Sequence, residues 1–143
     1  MTSTVEETLA RQGSCICFPR GISMWPILRN GIDSVLLVPV TQVKKHDAVL
    51  FRRENGQGVL HRVRTVGKDG YGMCGDGQWQ VEYPVPREKV VAVVAGYYRR
   101  EKFLPARSLR CRLYVLFWCK LQPLWLRRRL LALFKRARTE KHT

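Results

Sequence analysis

The chain has 143 residues, of which 45% are apolar and 26% are charged, a composition typical of one folded domain. Its 11 glycines and 7 prolines exclude collagen-like and low-complexity sequences. The net charge of +15 is uneven, because residues 98–143 hold 14 basic and 2 acidic side chains. This distribution predicts a nearly neutral body with a cationic tail, suited to anionic lipid, nucleic acid or an acidic partner.

The N-terminal segment and the cysteines indicate where the protein is expected to act. Residues 1–12 are polar and lack the basic and apolar regions of a secretory signal. The longest apolar run, residues 113–119, is too short to span a bilayer, which takes roughly 20 residues. The 5 cysteines follow no metal-ligand spacing, so we expect reduced thiols, a cytoplasmic location and no cofactor.

Residues 1–103 have the pattern of a mostly β unit that begins with a short helix. Thr4 is a suitable N-cap with Glu7 three residues later, and Gly13 ends the predicted helix. Runs rich in β-branched and aromatic residues then predict strands over 15–18, 34–40, 48–51, 59–66, 70–73 and 90–98. Asn-Gly and Asp-Gly pairs within 54–58 and 68–70 predict hairpin turns. Strands at this spacing favour a small barrel or sandwich.

Residues 104–143 have a different composition, rich in leucine, arginine and aromatic residues. Pro123 separates two stretches that we predict to be short helices. In the second stretch Leu126 and Leu130 recur at helical spacing, with Arg127 among the cationic residues beside them. The pattern predicts a basic, amphipathic helical tail.

Three short motifs contain the residue types of nucleophilic catalysis: Gly21-Ile-Ser-Met-Trp-Pro26, Leu60-His-Arg-Val63 and Gly75-Asp-Gly77. A serine hydroxyl needs a base at neutral pH, and histidine suits this role because its pKa lies near neutrality. A carboxylate can then orient the imidazole. Ser23, His61 and Asp76 therefore provide a complete set of roles. Taken singly, each also suits an ordinary turn or strand.

The order of these motifs resembles the signal peptidase family, in the branch with a histidine base. The resemblance covers roughly residues 5–100 and includes the pair Gly31 and Asp33 and the strand pattern D-x-V-x-F that begins at Asp47. It implies the mostly β signal peptidase/LexA-like fold. It also implies a serine endopeptidase that cuts leader or signal segments after small residues.

Carried over to this chain, the resemblance implies that Ser23 is the nucleophile, His61 the base and Asp76 their acidic partner. Met24 and Pro26 would shape the turn beneath the substrate. The backbone N–H of Ser23 would help to hold the oxyanion. The expected substrate is a peptide or protein with a cleavable leader.

Three departures from the family pattern qualify this expectation. Gly21 stands where many members carry a hydroxyl group that assists the oxyanion site, so we expect slower activity or another donor. His46 stands where a glycine usually precedes the aspartate of the D-x-V-x-F strand. No N-terminal membrane anchor precedes the first motif, which favours a peripheral relative acting on leader peptides over an enzyme of bulk protein export.

The tail has two interpretations of nearly equal weight. Residues 104–143 either lie on an anionic membrane, at its inner face, or pack on the body or on a second subunit. Specific nucleic-acid binding is not expected, because the aromatic residues lie within leucine-rich helices. The alternative function is a catalytically idle peptide-binding module of the same fold. A self-cleaving transcriptional switch is disfavoured, because the residues before Gly13 cannot hold a helix-turn-helix domain.

Overall fold

The computed structural model describes residues 4–140, with side chains up to residue 137. Residues 1–3 of the predicted body and 141–143 of the predicted tail lie outside the described residues. The helices and strands are α1 Val5–Gln12, β1 Cys15–Cys17, β2 Ser34–Pro39, β3 Ala48–Arg52, β4 Gly58–Val66, β5 Tyr71–Cys74, β6 Glu82–Val85, β7 Val90–Arg99, β8 Lys102–Pro105, α2 Leu109–Tyr114 and α3 Leu124–Glu140. A π-helical segment, Val115–Lys120, extends α2.

The N-terminal helix α1 is confirmed, with the predicted caps at both ends. The Thr4 hydroxyl accepts from the Glu7 N–H at 3.1 Å, and the Glu7 carboxylate accepts from the Thr4 N–H at 3.3 Å. Gly13 ends the helix with a φ of 78°, a conformation that glycine adopts at little cost. An ion pair of 2.8 Å between Glu6 and Arg52 joins the helix to β3.

The eight strands form one antiparallel sheet in the order β1-β2-β7-β3-β4-β5-β6, and β8 pairs with β7. The long strand β7 is central, because it pairs with β2, β3 and β8 along its length. The predicted class is confirmed at this level: a mostly β chain with a short N-terminal helix and C-terminal helices.

Both faces of the sheet are covered, and β4 contributes to both. One core includes Met24, Leu50, Leu60 and Val94. The other includes Phe51, Val59, Val63 and Met73. Successive side chains of a strand point to opposite faces. His61 therefore lies on the face of Val59 and Val63, and Arg62 lies on the face of Leu60.

Two strands were not predicted, and each has a physical reason. β6 contains Pro84, which lacks an N–H and is tolerated here because β6 is the last strand at one end of the sheet. β8 forms a hairpin with β7 through the pair Arg99 and Lys102. The turn between them contains Arg100 at a φ of 60°, and an arginine gives no turn signal in the sequence.

The other predicted elements are present. The turn at 54–58 joins β3 to β4 with Gly56 at a φ of 86°, and the Gly67 N–H donates to the Gly70 carbonyl where β4 turns into β5. One helical segment lies on each side of Pro123, as the sequence predicts.

Candidate active site

Ser23 lies in a series of turns between β1 and β2. The Gly21 N–H donates to Asn30 Oδ1 at 3.1 Å, and the Trp25 N–H donates to the Ile22 carbonyl at 3.0 Å. Gly21 has a φ of 90°, which side chains with a Cβ rarely adopt. The backbone conformation therefore explains the glycine at the position where the family pattern has a hydroxyl group.

Met24 and Pro26 anchor the turn that carries Ser23. Met24 is buried in the first core, and its carbonyl accepts from the Leu28 N–H at 3.0 Å. Pro26 follows a cis peptide bond, and its carbonyl accepts from Arg99 Nη2 at 3.3 Å. Both residues thus support the turn, while their contact with a substrate stays a prediction.

Asp33 and His46, two further residues of the comparison with the family pattern, lie just before strands β2 and β3. Asp33 Oδ2 accepts from the Arg29 N–H at 2.8 Å, and the Arg29 guanidinium pairs with the same carboxylate. His46 has a φ of 75°, a left-handed conformation in which glycine is less strained. The backbone at His46 is therefore one that a glycine would adopt with less strain.

The turn after β5, residues 75–77, packs directly against the Ser23 turn. The Gly77 N–H donates to the Ser23 carbonyl at 2.8 Å. A Cβ atom at Gly75 would collide with the carbonyl of Ser23, and one at Gly77 would collide with the carbonyl of Ile22. Both glycines are therefore required by the close approach of two backbone segments. The structure thus brings the Ser23 motif and the Asp76 motif together.

His61 lines a cavity of about 440 Å³, and Gly77 belongs to the same wall. The imidazole packs edge-on against Phe51, with ring centroids 5.9 Å apart, and the residue is only 4% exposed. Its Nδ1 atom is buried and has no hydrogen-bond partner among residues 4–140. Because an unpaired buried polar atom is costly, this nitrogen is an exception that needs an explanation.

The surroundings of His61 keep its imidazole neutral. Burial, and secondly the positive charge of Arg53, lower the pKa of His61 from 6.5 to about 4. The charges of Glu82 and Asp76 oppose this change, Glu82 more strongly. At pH 7 the imidazole therefore has the protonation state that accepts a proton from a hydroxyl group.

Ser23 is not among the described residues that line the cavity of His61. No hydrogen bond links the Ser23 and His61 side chains in the described part of the chain. Gly77 provides the connection between the Ser23 turn and the cavity: its N–H donates to the Ser23 carbonyl, and Gly77 also lines the His61 cavity. Catalytic hydrogen bonds are often long in the absence of substrate, so the pairing of nucleophile and base stays a prediction.

Asp76 does not have the contacts predicted for it. Its Oδ1 accepts from Arg62 Nε and its Oδ2 from Arg62 Nη2, both at 2.8 Å, and the Tyr114 hydroxyl donates to Oδ2 at 2.8 Å. No described hydrogen bond joins Asp76 to His61, because the carboxylate binds Arg62, whose side chain points to the other face of β4. The predicted orientation of His61 by Asp76 is corrected accordingly: Asp76 is the buried counter-ion of Arg62.

The Arg62 guanidinium is fully enclosed by polar partners. Besides Asp76, it donates to the His46 carbonyl at 2.9 Å and to the Tyr97 hydroxyl at 3.5 Å. Burial by itself would lower the pKa of Arg62, but the carboxylate of Asp76 raises it well above its ordinary value. This network fixes the turn at residues 75–77, on which Ser23 rests.

The C-terminal helices cover the same turn. Trp118 Nε1 donates to the Asp76 carbonyl at 2.8 Å, and Arg127 donates to the carbonyls of Trp118 and Gln78 at 2.7 and 3.3 Å. Trp118 also packs edge-on against Trp25, with ring centroids 6.5 Å apart. The inner side of the tail thus packs on the body at the Ser23 turn.

Sequence reasoning missed several residues around the cavity and the turn. Glu82 and Arg53 both line the His61 cavity and form an ion pair of 2.8 Å. The position of Arg62 within an apolar strand was a signal that its side chain is buried. The positions of Tyr114 and Trp118 had no such signal, because they lie about 40 residues from Asp76 in the chain.

In comparisons with known proteins, the chain matches no protein-family model, no curated protein and no solved structure. In the described range, no helix is long and apolar enough to cross a bilayer. The same range holds no cluster of three or more His, Cys, Asp or Glu side chains that could bind a metal ion. All five cysteines are free thiols.

Proposed function

We propose that the chain is a serine endopeptidase of the signal peptidase/LexA-like fold that cleaves leader or signal segments of peptides. Ser23 is its nucleophile and His61 its base. The observation that carries this proposal is the position of Gly77, which binds the Ser23 carbonyl and lines the cavity of a neutral, buried histidine.

In the proposed reaction, Ser23 Oγ attacks the carbonyl carbon of the scissile bond while His61 takes the hydroxyl proton. His61 then gives this proton to the leaving amine, and water releases the acyl group from Ser23 by a second transfer of the same kind. The Ser23 N–H makes no hydrogen bond in the described chain and is free to donate to the oxyanion. Removing such a contact costs about 2.7–4 kcal/mol in related chemistry.

Glu82 takes over the electrostatic role first assigned to Asp76. The imidazolium that forms during the reaction needs a negative charge nearby, because its own pKa is held low by burial. Glu82 lines the same cavity, and its charge raises the pKa of His61 more than that of Asp76 does. The cavity, of about 440 Å³, has the size of a site for a small ligand or a short peptide segment.

The proposal is tested by covalent labelling with a serine-directed acylating reagent, followed by intact-mass spectrometry at pH 7 to 8. The parent protein should gain one acyl group, and Ser23→Ala and His61→Ala should lose it. Ser14→Ala is the matched control, since Ser14 is half-buried like Ser23 and lies outside the three motifs. Labelling of Ser23→Ala at the parent's rate would show that the nucleophile is wrongly assigned.

The second candidate function is a catalytically idle module that binds a peptide in the same cavity. The absence of a hydrogen bond between Ser23 and His61 among the described residues favours it, as does Gly21 at the position of the usual hydroxyl group. It predicts peptide affinity with neither labelling nor turnover. Specific cleavage of any peptide that depends on Ser23 would exclude it.

A further inference from the structure

The C-terminal helices expose large apolar side chains on their outer side. In α2 and its π-helical extension these are Leu109, Leu113, Leu116 and Phe117. Leu109, Leu113 and Phe117 are four residues apart and Leu116 is three residues after Leu113, so they share one side of the helical segment. The next part of the chain adds the exposed residues Leu121, Trp125 and Leu133. Monomeric soluble proteins rarely expose so many large apolar residues together.

Cationic side chains lie among these apolar residues. Those that are exposed include Arg110, Arg112, Lys120, Arg128 and Arg129. Over residues 98–143 the sequence has 14 basic and 2 acidic residues, so the net charge is +12. A helical surface that combines exposed leucine, phenylalanine and tryptophan with lysine and arginine is typical of proteins that lie in the interface of an anionic bilayer.

We propose that this outer surface, made of the exposed apolar side chains of residues 109–133 and the cations among them, binds anionic lipid. Charge favours lipid over a second copy of the chain, because self-association would bring two strongly cationic segments together. The apolar residues favour lipid over nucleic acid, because phosphate contacts need cations and leave exposed leucines without a partner. The inference concerns binding alone, so it does not depend on the proposed peptidase activity.

The inner side of the same helices packs against the body of the protein near the candidate site. Tyr114 and Trp118 hold the turn that supports Ser23. In α3, the Arg128 guanidinium lies over the Trp79 ring, 4.6 Å from its centroid, and Trp79 lines the His61 cavity. The helices that would bind the bilayer on their outer side therefore support, on their inner side, the Ser23 turn and one wall residue of the His61 cavity.

The test is co-sedimentation of the full chain with vesicles of phosphatidylcholine alone or mixed with phosphatidylglycerol. We expect binding to the anionic vesicles, with little binding to the zwitterionic ones. Raising the salt concentration should weaken the binding, by roughly fivefold for each cation that loses its contact with the surface. Equal binding to both vesicle types would overturn the electrostatic part of the proposal.

Phe117 and Phe18 provide a matched pair of substitutions. The two phenylalanines are 64% and 67% exposed, and only Phe117 belongs to the outer surface of the tail. Phe117→Gln should weaken vesicle binding roughly tenfold, because the ring would no longer enter the lipid interface. Phe18→Gln should leave it unchanged. Thermal unfolding of both variants verifies that they fold, and Leu121→Gln is a second variant with the same expected direction.

Two results would assign the surface to another occupant and overturn the proposal. If the parent is a dimer that Phe117→Gln dissociates, and vesicles do not bind, the outer surface is an interface between two copies. If DNA competes fully with vesicles while Phe117→Gln has no effect on either, the tail binds polyanions through its charge alone. Competition by DNA with a tenfold loss for Phe117→Gln toward vesicles would retain the lipid assignment.

Discussion

The two faces of strand β4 differ in the hydrogen bonding of their buried basic side chains. On one face Arg62 is 3% exposed and binds Asp76, the His46 carbonyl and Tyr97. On the other face His61 is 4% exposed, yet its Nδ1 atom has no partner in the described chain. The two residues are adjacent in one motif, so the difference comes from the tertiary structure and not from local sequence.

This difference separates a structural role from a chemical one. A fully satisfied buried network rigidifies the segment that it holds, here the turn at residues 75–77. An unsatisfied polar atom beside a cavity destabilises the fold and is retained where it serves chemistry, which is the case we propose for His61. The following predictions test whether the two faces can be separated by experiment.

The largest expected effect comes from breaking the network on the Arg62 face. Asp76→Asn leaves the buried Arg62 guanidinium without a counter-ion, so the free energy of unfolding should fall by about 3–5 kcal/mol. Urea unfolding of the full chain measures this change. His61→Gln should cost much less at pH 7, because the histidine is neutral and its Nδ1 atom makes no described hydrogen bond.

Glu6→Gln is the control for the loss of an ion pair as such. Glu6 and Arg52 approach to 2.8 Å, as Asp76 and Arg62 do, but both side chains are partly exposed. An exposed pair contributes about 0–1 kcal/mol. Similar losses for Asp76→Asn and Glu6→Gln would mean that the buried network does not hold the turn as described.

The second prediction concerns the pH dependence of stability on the His61 face. The unfolded chain binds a proton at this histidine below its ordinary pKa of 6.5, whereas the folded chain, with a pKa of about 4, does not. Stability should therefore fall as the pH is lowered from 6.5 to 4, by about 3 kcal/mol from this group.

Comparison with His61→Gln isolates this contribution. The parent and the variant share all other titrating groups, including His46, whose pKa is also lowered to about 4 by burial. The difference in unfolding free energy between the two proteins should thus change by about 3 kcal/mol between pH 7 and pH 4. A constant difference over this range would indicate that folding does not lower the pKa of His61.

Much of the fold could be predicted from local sequence, because its signals are local. The Thr4–Glu7 capping box, the Asn-Gly turn at residues 55–56 and the apolar runs of β2, β3 and β7 each specify structure through neighbouring residues. β6 and β8 were missed because each has only 4 residues and contains a proline, Pro84 in β6 and Pro105 in β8. Such strands form only because the sheet offers a partner.

The sequence supplies candidate residues for the site, but it does not determine how they pair. The motifs contain Ser23, His61 and Asp76, and the structure places the Asp76 turn against the Ser23 turn. The period-2 alternation of a strand, however, directs His61 and Arg62 to opposite faces, so only one of them can bind Asp76 directly. Sequence spacing could not decide which, since the deciding partner, Tyr114, comes from the C-terminal helices.

Gly77→Ala is the sharpest test of the connection between the two faces, and it should change the stability less than Asp76→Asn does. Its Cβ would collide with the Ile22 carbonyl, a backbone atom, so the Ser23 turn must shift, at a cost of about 1–2 kcal/mol in unfolding free energy. Acylation of Ser23 should fall far more, by roughly 100-fold, because small displacements of a nucleophile have large effects on its rate. Gly58→Ala is the control, since its Cβ would collide with the flexible end of the Arg52 side chain and would meet Leu50 at an ordinary contact distance. If both variants label at the parent's rate, Gly77 does not couple Ser23 to the His61 cavity, and the two faces of β4 act independently.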